Sequence, residues 1–253
     1  MKNGKGKEYY IDGQLEFEGE YLYNHKLRGK YYIHGQLEYE GEYLYNKKWN
    51  GKGYDENGNI IYELINGNGK VKEFDNYSKK LKFEGEYLNG QKNGKVKEYN
   101  IRGKLLFEGG YRNGLKWSGK GYDGNNNIVY ELNNGNGKVK EYDFVGKLEF
   151  EGEYLNGKKN GKGKEYNWEG NLIFEGDYKN GLKWNGKGYD GKNNIVYEIN
   201  NGKGYVKEYN FLGGLNFEGE YVNGQKNGKF KEYEFDGSLK FEVEYLNGVK
   251  VFK

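Results

Sequence analysis

The sequence predicts an all-β protein, an elongated single-layer antiparallel β-meander of repeated hairpins. Short segments alternate apolar and charged residues, as in LEFEGEY at Leu148–Tyr154, and a period of two is typical of a half-buried strand. Asn-Gly pairs separate many of these segments, and Asn-Gly favours the tight turn of a β-hairpin. The same segments recur along the whole chain, so neighbouring hairpins can add side by side.

Internal repetition divides the chain into eleven units. The glycine that opens the second strand of each unit marks them: Gly4, Gly29, Gly51, Gly69, Gly94, Gly119, Gly137, Gly161, Gly186, Gly204 and Gly228. Two long units and one short unit follow each other in a fixed order. This order gives super-repeats near 4–68, 69–136 and 137–203, and a last stretch, 204–253, that ends in a C-terminal cap. We therefore predict one repeat array over residues 1–253.

The alternation also predicts which residues face each other within a unit. The predicted register pairs Gly152 with Gly163, Glu151 with Lys164 and Glu153 with Lys162. Opposite charges across two strands contribute roughly 0.2–1 kcal/mol per pair. We call the side that carries Glu151 the charged face, and the side that carries Phe150 and Tyr154 the aromatic face. This register places Glu165 on the aromatic face and Tyr166 on the charged face, which the alternation does not explain.

The composition limits the classes of function. The chain has 41 basic and 38 acidic residues, a net charge of +3, and the two signs interleave along the sequence. No block of one sign is long enough to bind nucleic acid as a charged tail. Cysteine is absent and no run of about 18 apolar residues occurs. We expect a cytoplasmic protein without disulfides, without thiolate metal sites and without a nucleic-acid partner.

Catalytic residue types are scarce or copied too regularly to form an active site. His25 and His34 are the only histidines, and neither has a repeated partner. The loops Gly114–Gly121 and Gly181–Gly188 approach a phosphate-binding pattern but have glycine where a magnesium-binding hydroxyl should stand. The segment DENGNI from Asp55 lacks the closing glutamate of a calcium loop. We predict a non-enzymatic protein with no cofactor, no metal and no small-molecule substrate.

The repeated segment resembles a known family. FEGEYLNGKKNGKGKEY at Phe150–Tyr166 is similar to the MORN (membrane occupation and recognition nexus) repeat, whose pattern contains Tyr-x-Gly-x-Trp, Asn-Gly-Lys and Gly-x-Gly. The resemblance covers nearly the whole chain, although tyrosine replaces the tryptophan and Leu64, Leu132 and Ile199 replace a central glycine in the short units. The resemblance implies a scaffold in membrane-associated or cytoskeletal assemblies.

The aromatic face is the first candidate binding surface, because a single-layer sheet leaves it without a cover and exposed apolar stripes mark interaction sites. We expect it to hold a protein partner or a second copy of the chain. The candidate residues are Phe83, Tyr87, Phe107, Tyr111, Phe150, Tyr154, Phe174, Tyr178, Phe217 and Tyr221. The alternative is that rings and lysine stems cover one another, so that neither face needs a partner.

A row of basic hairpin residues is the second candidate. It contains Lys47, Lys48, Lys92, Lys116, Lys158, Lys159, Lys183 and Lys226, which the meander places along one edge. Such an edge can bind anionic phospholipid at about 1 kcal/mol per basic residue. Peripheral lipid binding is therefore the alternative function. A bacterial antitoxin-like protein is the third, because one antitoxin family resembles strings of similar repeats.

Overall fold

A computed structural model describes residues 2–76, 78–190, 192–210, 214–234 and 236–251, and every helix or strand in them is a β-strand. The first six strands are β1 (Gly4–Tyr9), β2 (Leu15–Leu22), β3 (His25–Ile33), β4 (Gln36–Leu44), β5 (Lys47–Tyr54) and β6 (Ile60–Leu64). The next six are β7 (Gly69–Phe74), β8 (Leu81–Leu88), β9 (Gln91–Tyr99), β10 (Leu105–Arg112), β11 (Leu115–Tyr122) and β12 (Ile128–Leu132). The third group is β13 (Gly137–Tyr142), β14 (Leu148–Leu155), β15 (Lys158–Tyr166), β16 (Leu172–Lys179), β17 (Leu182–Tyr189) and β18 (Ile195–Ile199). The last five are β19 (Gly204–Tyr209), β20 (Leu215–Val222), β21 (Gln225–Tyr233), β22 (Leu239–Leu246) and β23 (Val249–Val251).

The chain forms two compact units, Met1–Ile128 and Val129–Lys253. The first unit contains the sheet β1-β2-β3-β4-β5-β6 and a sheet in which β7-β8-β9-β10-β11 follow each other. The second unit contains the sheets β13-β14-β15-β16-β17-β18 and β19-β20-β21-β22-β23. The predicted all-β fold of antiparallel hairpins is confirmed. Phe252 and Lys253, the end of the predicted C-terminal cap, lie outside the described residues.

The prediction of one continuous meander is wrong, because the strand ladder stops at the short units. Between β6 and β7 only an isolated bridge joins Ile65 and Asn68. The amide nitrogen of Gly67, in the turn between them, donates instead to the Trp49 carbonyl oxygen at 2.7 Å. This single bridge takes the place of a strand ladder between β6 and β7, so a new sheet begins at β7. The same bridge and bond recur between β18 and β19.

Asn-Gly turns hold neighbouring hairpins together. Asn156 and Gly157 have φ angles of 53° and 76°, and positive φ at both central residues is the geometry of a type I′ hairpin turn. The Gly157 nitrogen donates to the Gly135 carbonyl oxygen at 2.8 Å. The Asn156 nitrogen donates to Oδ1 of Asn136 at 3.0 Å. Asparagine therefore has two structural roles here, one inside a turn and one as an acceptor for the next turn.

The observed register confirms two of the three predicted pairs. Gly152 faces Gly163 and Glu151 faces Lys164, but Glu153 does not face Lys162 because a bulge follows Gly152. A second bulge lies between Glu165 and Tyr166 in the pairing of β15 with β16. Glu165 and Tyr166 lie on the faces that the register predicted. Tyr166 donates its hydroxyl hydrogen to Glu151 at 2.6 Å on the charged face, and Glu165 lies on the aromatic face.

Candidate functional site

The aromatic face is buried, which corrects the expectation of an exposed docking surface. The side chains of Phe83, Phe107 and Phe174 are 0% exposed, and that of Phe150 is 1% exposed. Tyr178 is also buried. The other five candidate residues of this face, Tyr87, Tyr111, Tyr154, Phe217 and Tyr221, are partly buried. A partner cannot reach the phenylalanine rings without displacing what covers them.

A lysine ammonium group, a tyrosine ring and backbone glycine enclose the Phe150 ring. The Lys159 Nζ lies 4.0 Å from the centroid of Phe150, within the range of a cation–π contact. The Tyr178 ring meets Phe150 edge to face with centroids 5.6 Å apart. On the sheet side, a Cβ on Gly152 would come within 2.6 Å of Phe150 Cζ, so the ring rests on the glycine backbone. Rings and lysine stems therefore cover one another, as in the alternative considered above.

A partly buried ion-pair network lies over these rings. The Glu165 carboxylate lies 2.8 Å from Lys159 Nζ and 3.1 Å from Lys183 Nζ, and Lys183 also pairs with Glu208 at 3.3 Å. Burial raises the pKa of Glu165, but the charges and hydrogen bonds of Lys183 and Lys159 outweigh this effect and lower the pKa to about 2. Glu165, the residue that broke the alternation in sequence, is thus the anion that holds two lysines over the aromatic face.

This network predicts acid destabilisation. The Glu165 pKa is lower in the folded state, about 2, than its ordinary value of 4.5, so its stabilisation is complete above pH 4.5 and is lost as the pH falls towards 2. Allowing for partial exposure, we expect a loss of about 2 kcal/mol, measured by urea unfolding at a series of pH values. Glu165→Gln should reduce the slope of the free energy of unfolding against pH between pH 4.5 and pH 2. The control Glu169→Gln, at an exposed carboxylate, should leave the slope of the free energy of unfolding against pH unchanged. Equal slopes in the wild type and Glu165→Gln would contradict the assignment of this acid destabilisation to Glu165.

The predicted lysine edge is largely folded onto the aromatic face. Six of its eight members have Nζ within 5.2 Å of a ring centroid: Lys48, Lys92, Lys116, Lys159, Lys183 and Lys226. Lys226 is nearest, at 3.5 Å from the centroid of Phe217. Lys47 and Lys158 are exposed. The sequence pattern placed these lysines near one edge, and in the structure rings and carboxylates draw six of them inward.

The charged face carries a groove in three sheets. In the third sheet the groove has a volume of about 610 Å³ and crosses β13 to β16. Backbone at Gly152, Gly163 and Gly176 lies along it, between rows of lysine and acidic side chains. Equivalent grooves of about 680 Å³ and about 830 Å³ cross β1 to β4 and β7 to β10. The alternation of Glu-Gly-Glu and Lys-x-Lys segments is the sequence signal for them, although by itself it predicts only pairs of opposite charge across neighbouring strands.

The groove across β7 to β10 differs from its sister grooves by one missing carboxylate. In the third sheet Lys162 faces Asp177, and in the first sheet Arg28 faces Glu42. In the second sheet Lys95 faces Gly110 at the same position. This groove therefore carries four lysines, Lys70, Lys72, Lys95 and Lys97, against three glutamates, Glu84, Glu86 and Glu108.

The residues of the histidine and phosphate-like patterns lie in hairpin strands and turns. His25 is exposed and its Nδ1 lies 3.1 Å from Asn46 Nδ2, whereas His34 lies in a hairpin turn with φ of 49°. The segment Gly114–Gly121 consists of a turn glycine followed by β11, and Gly181–Gly188 is built in the same way before β17. Both therefore lack the open loop that would surround a phosphate.

The calcium-like segment from Asp55 forms a hairpin turn. The Asp55 carboxylate accepts hydrogen bonds from the backbone nitrogens of Asn57 and Asn59 at 2.9 and 2.8 Å. A bond from the Asn59 side chain, together with these backbone bonds, lowers the pKa of Asp55. The carboxylate oxygens thus stabilise the turn itself. Among the described ranges, no group of three His, Cys, Asp or Glu residues could hold a metal ion.

Comparisons with known proteins leave the family open. No family model matches the chain, and no curated protein matches it. Among solved structures, the chain is similar to one of TcdB2-TccC3, at 10% identity and a TM-score of 0.21, over 96% of this chain and 19% of that one. A structure of TcdB2-TccC3 without its hypervariable C-terminal region gives 11% identity, a TM-score of 0.21 and coverage of 96% and 18%.

The chain thus spans about a fifth of the length of these structures, and TM-scores this low support no conclusion about function. In the part of the chain that the structure describes, no helix is long and apolar enough to cross a bilayer.

Proposed function

We propose that the chain is a non-enzymatic MORN-type repeat scaffold that binds a protein partner through its charged face. The observation that carries this proposal is the burial of the phenylalanine rings, with 0% exposure of Phe83, Phe107 and Phe174. With the aromatic face covered, the grooves between lysine and acidic rows offer a partner a concave surface on the charged face. Their volumes are about 610 to 830 Å³.

The arrangement of charge favours a protein over nucleic acid or lipid. Each strand that crosses a groove contributes one sign, and adjacent strands, about 4.8 Å apart, contribute opposite signs. A partner that matches this pattern must carry both signs at close spacing, which protein surfaces do. Phosphate backbones and anionic headgroups carry one sign only and would meet as many carboxylates as ammonium groups in the first and third grooves.

The groove across β7 to β10 is the best candidate among the three. Lys95 is exposed, faces Gly110 and has no ion pair among the described residues. The same position in the sister grooves seats a carboxylate of the chain itself, from Glu42 or Asp177. We therefore assign the position beside Lys95, opposite Gly110, to an acidic side chain of the partner. This side chain would complete the row of alternating charges.

The variant Gly110→Glu tests this assignment. A Cβ at Gly110 meets no atom closer than 3.7 Å, so the variant should fold, and its carboxylate should occupy the partner's place beside Lys95. A protein captured by the intact chain is purified, and its Kd is measured by calorimetry. We expect at least tenfold weaker binding, about 1.4 kcal/mol, for Gly110→Glu.

The matched control is Lys158→Glu, at an exposed hairpin lysine of the second unit, which should bind as the wild type does. Unchanged affinity of Gly110→Glu would overturn the groove as the interface. Loss of affinity in Lys158→Glu alone, together with salt-sensitive sedimentation on phosphatidylserine vesicles, would support the lysine edge and lipid binding instead.

A further inference from the structure

Two hairpin turns of the first sheet contain a tyrosine where the equivalent turns of the other three sheets contain asparagine. Tyr23 lies in the turn between β2 and β3, and Tyr45 lies in the turn between β4 and β5, with φ angles of 48° and 50°. The equivalent residues of the other sheets have φ between 48° and 53° and are Asn89, Asn113, Asn156, Asn180, Asn223 and Asn247. The backbone of these turns is therefore the same, and the side chain differs.

Tyrosine suits this backbone poorly, so its presence in two adjacent hairpins requires an explanation. Glycine and asparagine adopt a left-handed φ readily, whereas a bulky aromatic residue adopts it only with strain. Tyr23 and Tyr45 are also 64% and 73% exposed, so neither ring is part of a core. Strained backbone concentrates at functional sites. The strain and the exposure together indicate that these two rings bind a ligand.

Hydrogen bonds hold the two turns side by side. The Lys26 nitrogen donates to Asn46 Oδ1 at 2.7 Å, and Asn46 Nδ2 lies 3.1 Å from His25 Nδ1. The His25 ring meets the Tyr45 ring edge to face, with centroids 5.9 Å apart. The two hairpins are offset by two strands, so the turns that carry Tyr23 and Tyr45 lie about 10 Å apart. The rings therefore stand on a preorganised base with a fixed spacing.

The surface beside the rings is polar. The residues that follow the tyrosines in the two turns are exposed: Asn24, His25, Asn46 and Lys47. The leucine before each tyrosine is also exposed, but so is Leu88 in an asparagine turn, so apolar surface does not distinguish the first sheet. A membrane or an apolar helix would favour a continuous apolar patch. Separate rings among hydrogen-bonding groups favour a ligand with apolar C–H faces and many hydroxyls.

We propose that this pair of turns binds a cellulose-like glycan, which is a flat, extended chain of β-linked sugars. Successive sugars of such a chain turn over, so every second sugar presents the same face, and this repeat matches a spacing of about 10 Å between the turns. Tyr23 and Tyr45 each stack on one apolar sugar face, and Asn24 and His25 form hydrogen bonds with sugar hydroxyls. The site lies at the turns, not on the charged face, and does not depend on the proposed protein-binding function.

Cellohexaose is the probe, and its binding to the full chain is measured by calorimetry. The wild type should bind cellohexaose, and maltohexaose, whose α-linkages coil the chain, should not compete. Tyr23→Asn and Tyr45→Asn should each weaken binding at least tenfold, and the double variant should abolish it. Asparagine is the residue that the equivalent turns contain, so these variants should resist urea at least as well as the wild type. Lost binding could then not be attributed to unfolding.

The matched control is Tyr205→Asn, at a tyrosine of the second unit that is 54% exposed, and it should leave the affinity for cellohexaose unchanged. The absence of cellohexaose binding would overturn the proposal, and so would unchanged affinity in both Tyr23→Asn and Tyr45→Asn. Equal competition by maltohexaose would overturn the assignment to β-linked sugars. Binding to phosphatidylcholine vesicles in place of the glycan, lost in the same two variants, would assign the turns to a membrane surface instead.

Discussion

Replacement of Phe150 by alanine is expected to lower the free energy of unfolding of the second unit by about 3–5 kcal/mol. Phe150 is 1% exposed, rests on Gly152, meets the Tyr178 ring and lies under the Lys159 ammonium group. Alanine would remove the ring and leave a cavity between glycine backbone and charged groups. It would also leave the Lys159–Glu165 pair without its apolar support. Urea unfolding followed by tyrosine fluorescence measures the change.

Phe144→Ala is the matched control for this substitution. Phe144 belongs to the same unit but is 62% exposed, and its removal should change the free energy of unfolding by less than about 0.5 kcal/mol. A similarly small change for Phe150→Ala, with loss of binding to a protein partner, would instead restore the aromatic face as a docking surface.

Gly176→Ala is the second substitution for which we expect a large effect. A Cβ on Gly176 would collide with the backbone carbonyl oxygen of Asn185 and come within 2.6 Å of the Gly186 Cα. Because both obstacles are backbone atoms of the paired strand, β16 and β17 would have to move apart. We expect a loss of about 3 kcal/mol, the upper end of the cost of overpacking, measured by thermal and urea unfolding.

The control for the glycine substitution is Gly110→Ala, also within a strand. The nearest atom to its added Cβ is the Ser118 carbonyl oxygen at 3.7 Å, an ordinary contact distance. This variant should be as stable as the wild type or slightly more stable, because alanine restricts the unfolded chain more than glycine does. Equal destabilisation by both substitutions would show that the close approach of strands at Gly176 is not the cause.

The strands, the turns and most of the register follow from local sequence pattern. A period of two requires only that one face be buried, so Phe150 and Glu151 could be assigned to opposite faces without knowledge of any other segment. Asn156 and Gly157 define their turn through their own backbone preferences, which is also local information. The alternation recurs along the chain and the Asn-Gly turn in many of its hairpins, because these units meet the same local requirements.

The lysine positions could not be predicted in this way, because they depend on more than one strand at once. Lys159 is close to a turn in sequence, which favours an exposed ammonium group. In the structure it reaches over Phe150 of the preceding strand and pairs with Glu165 further along its own strand. The displaced position of Glu165 was the available sign, since a carboxylate on an apolar face requires a cation nearby. A search for such misplaced carboxylates would have located the lysines as well.

The bulges and the division into four sheets also depend on more than one segment. A bulge is set by the number of residues that two strands supply between fixed contacts, as between Gly152 and Tyr154 of β14. The ladder is reduced to one bridge between Ile65 and Asn68, and the turn glycine there bonds to the Trp49 carbonyl of an earlier strand. Neither feature is visible in a repeat that is considered by itself.

The hydrogen bonds that join neighbouring turns have a chemical consequence, because many of these turns contain an Asn-Gly pair. Such pairs age by succinimide formation, in which the glycine amide nitrogen attacks the preceding asparagine side chain. In the turn at Asn156, that nitrogen donates its hydrogen to the Gly135 carbonyl oxygen at 2.8 Å, and this bond withholds the nucleophile from the reaction. The folded protein should therefore deamidate at these pairs far more slowly than a peptide of the same sequence. A hairpin that opens loses this hydrogen bond, and deamidation should then concentrate at its Asn-Gly pair.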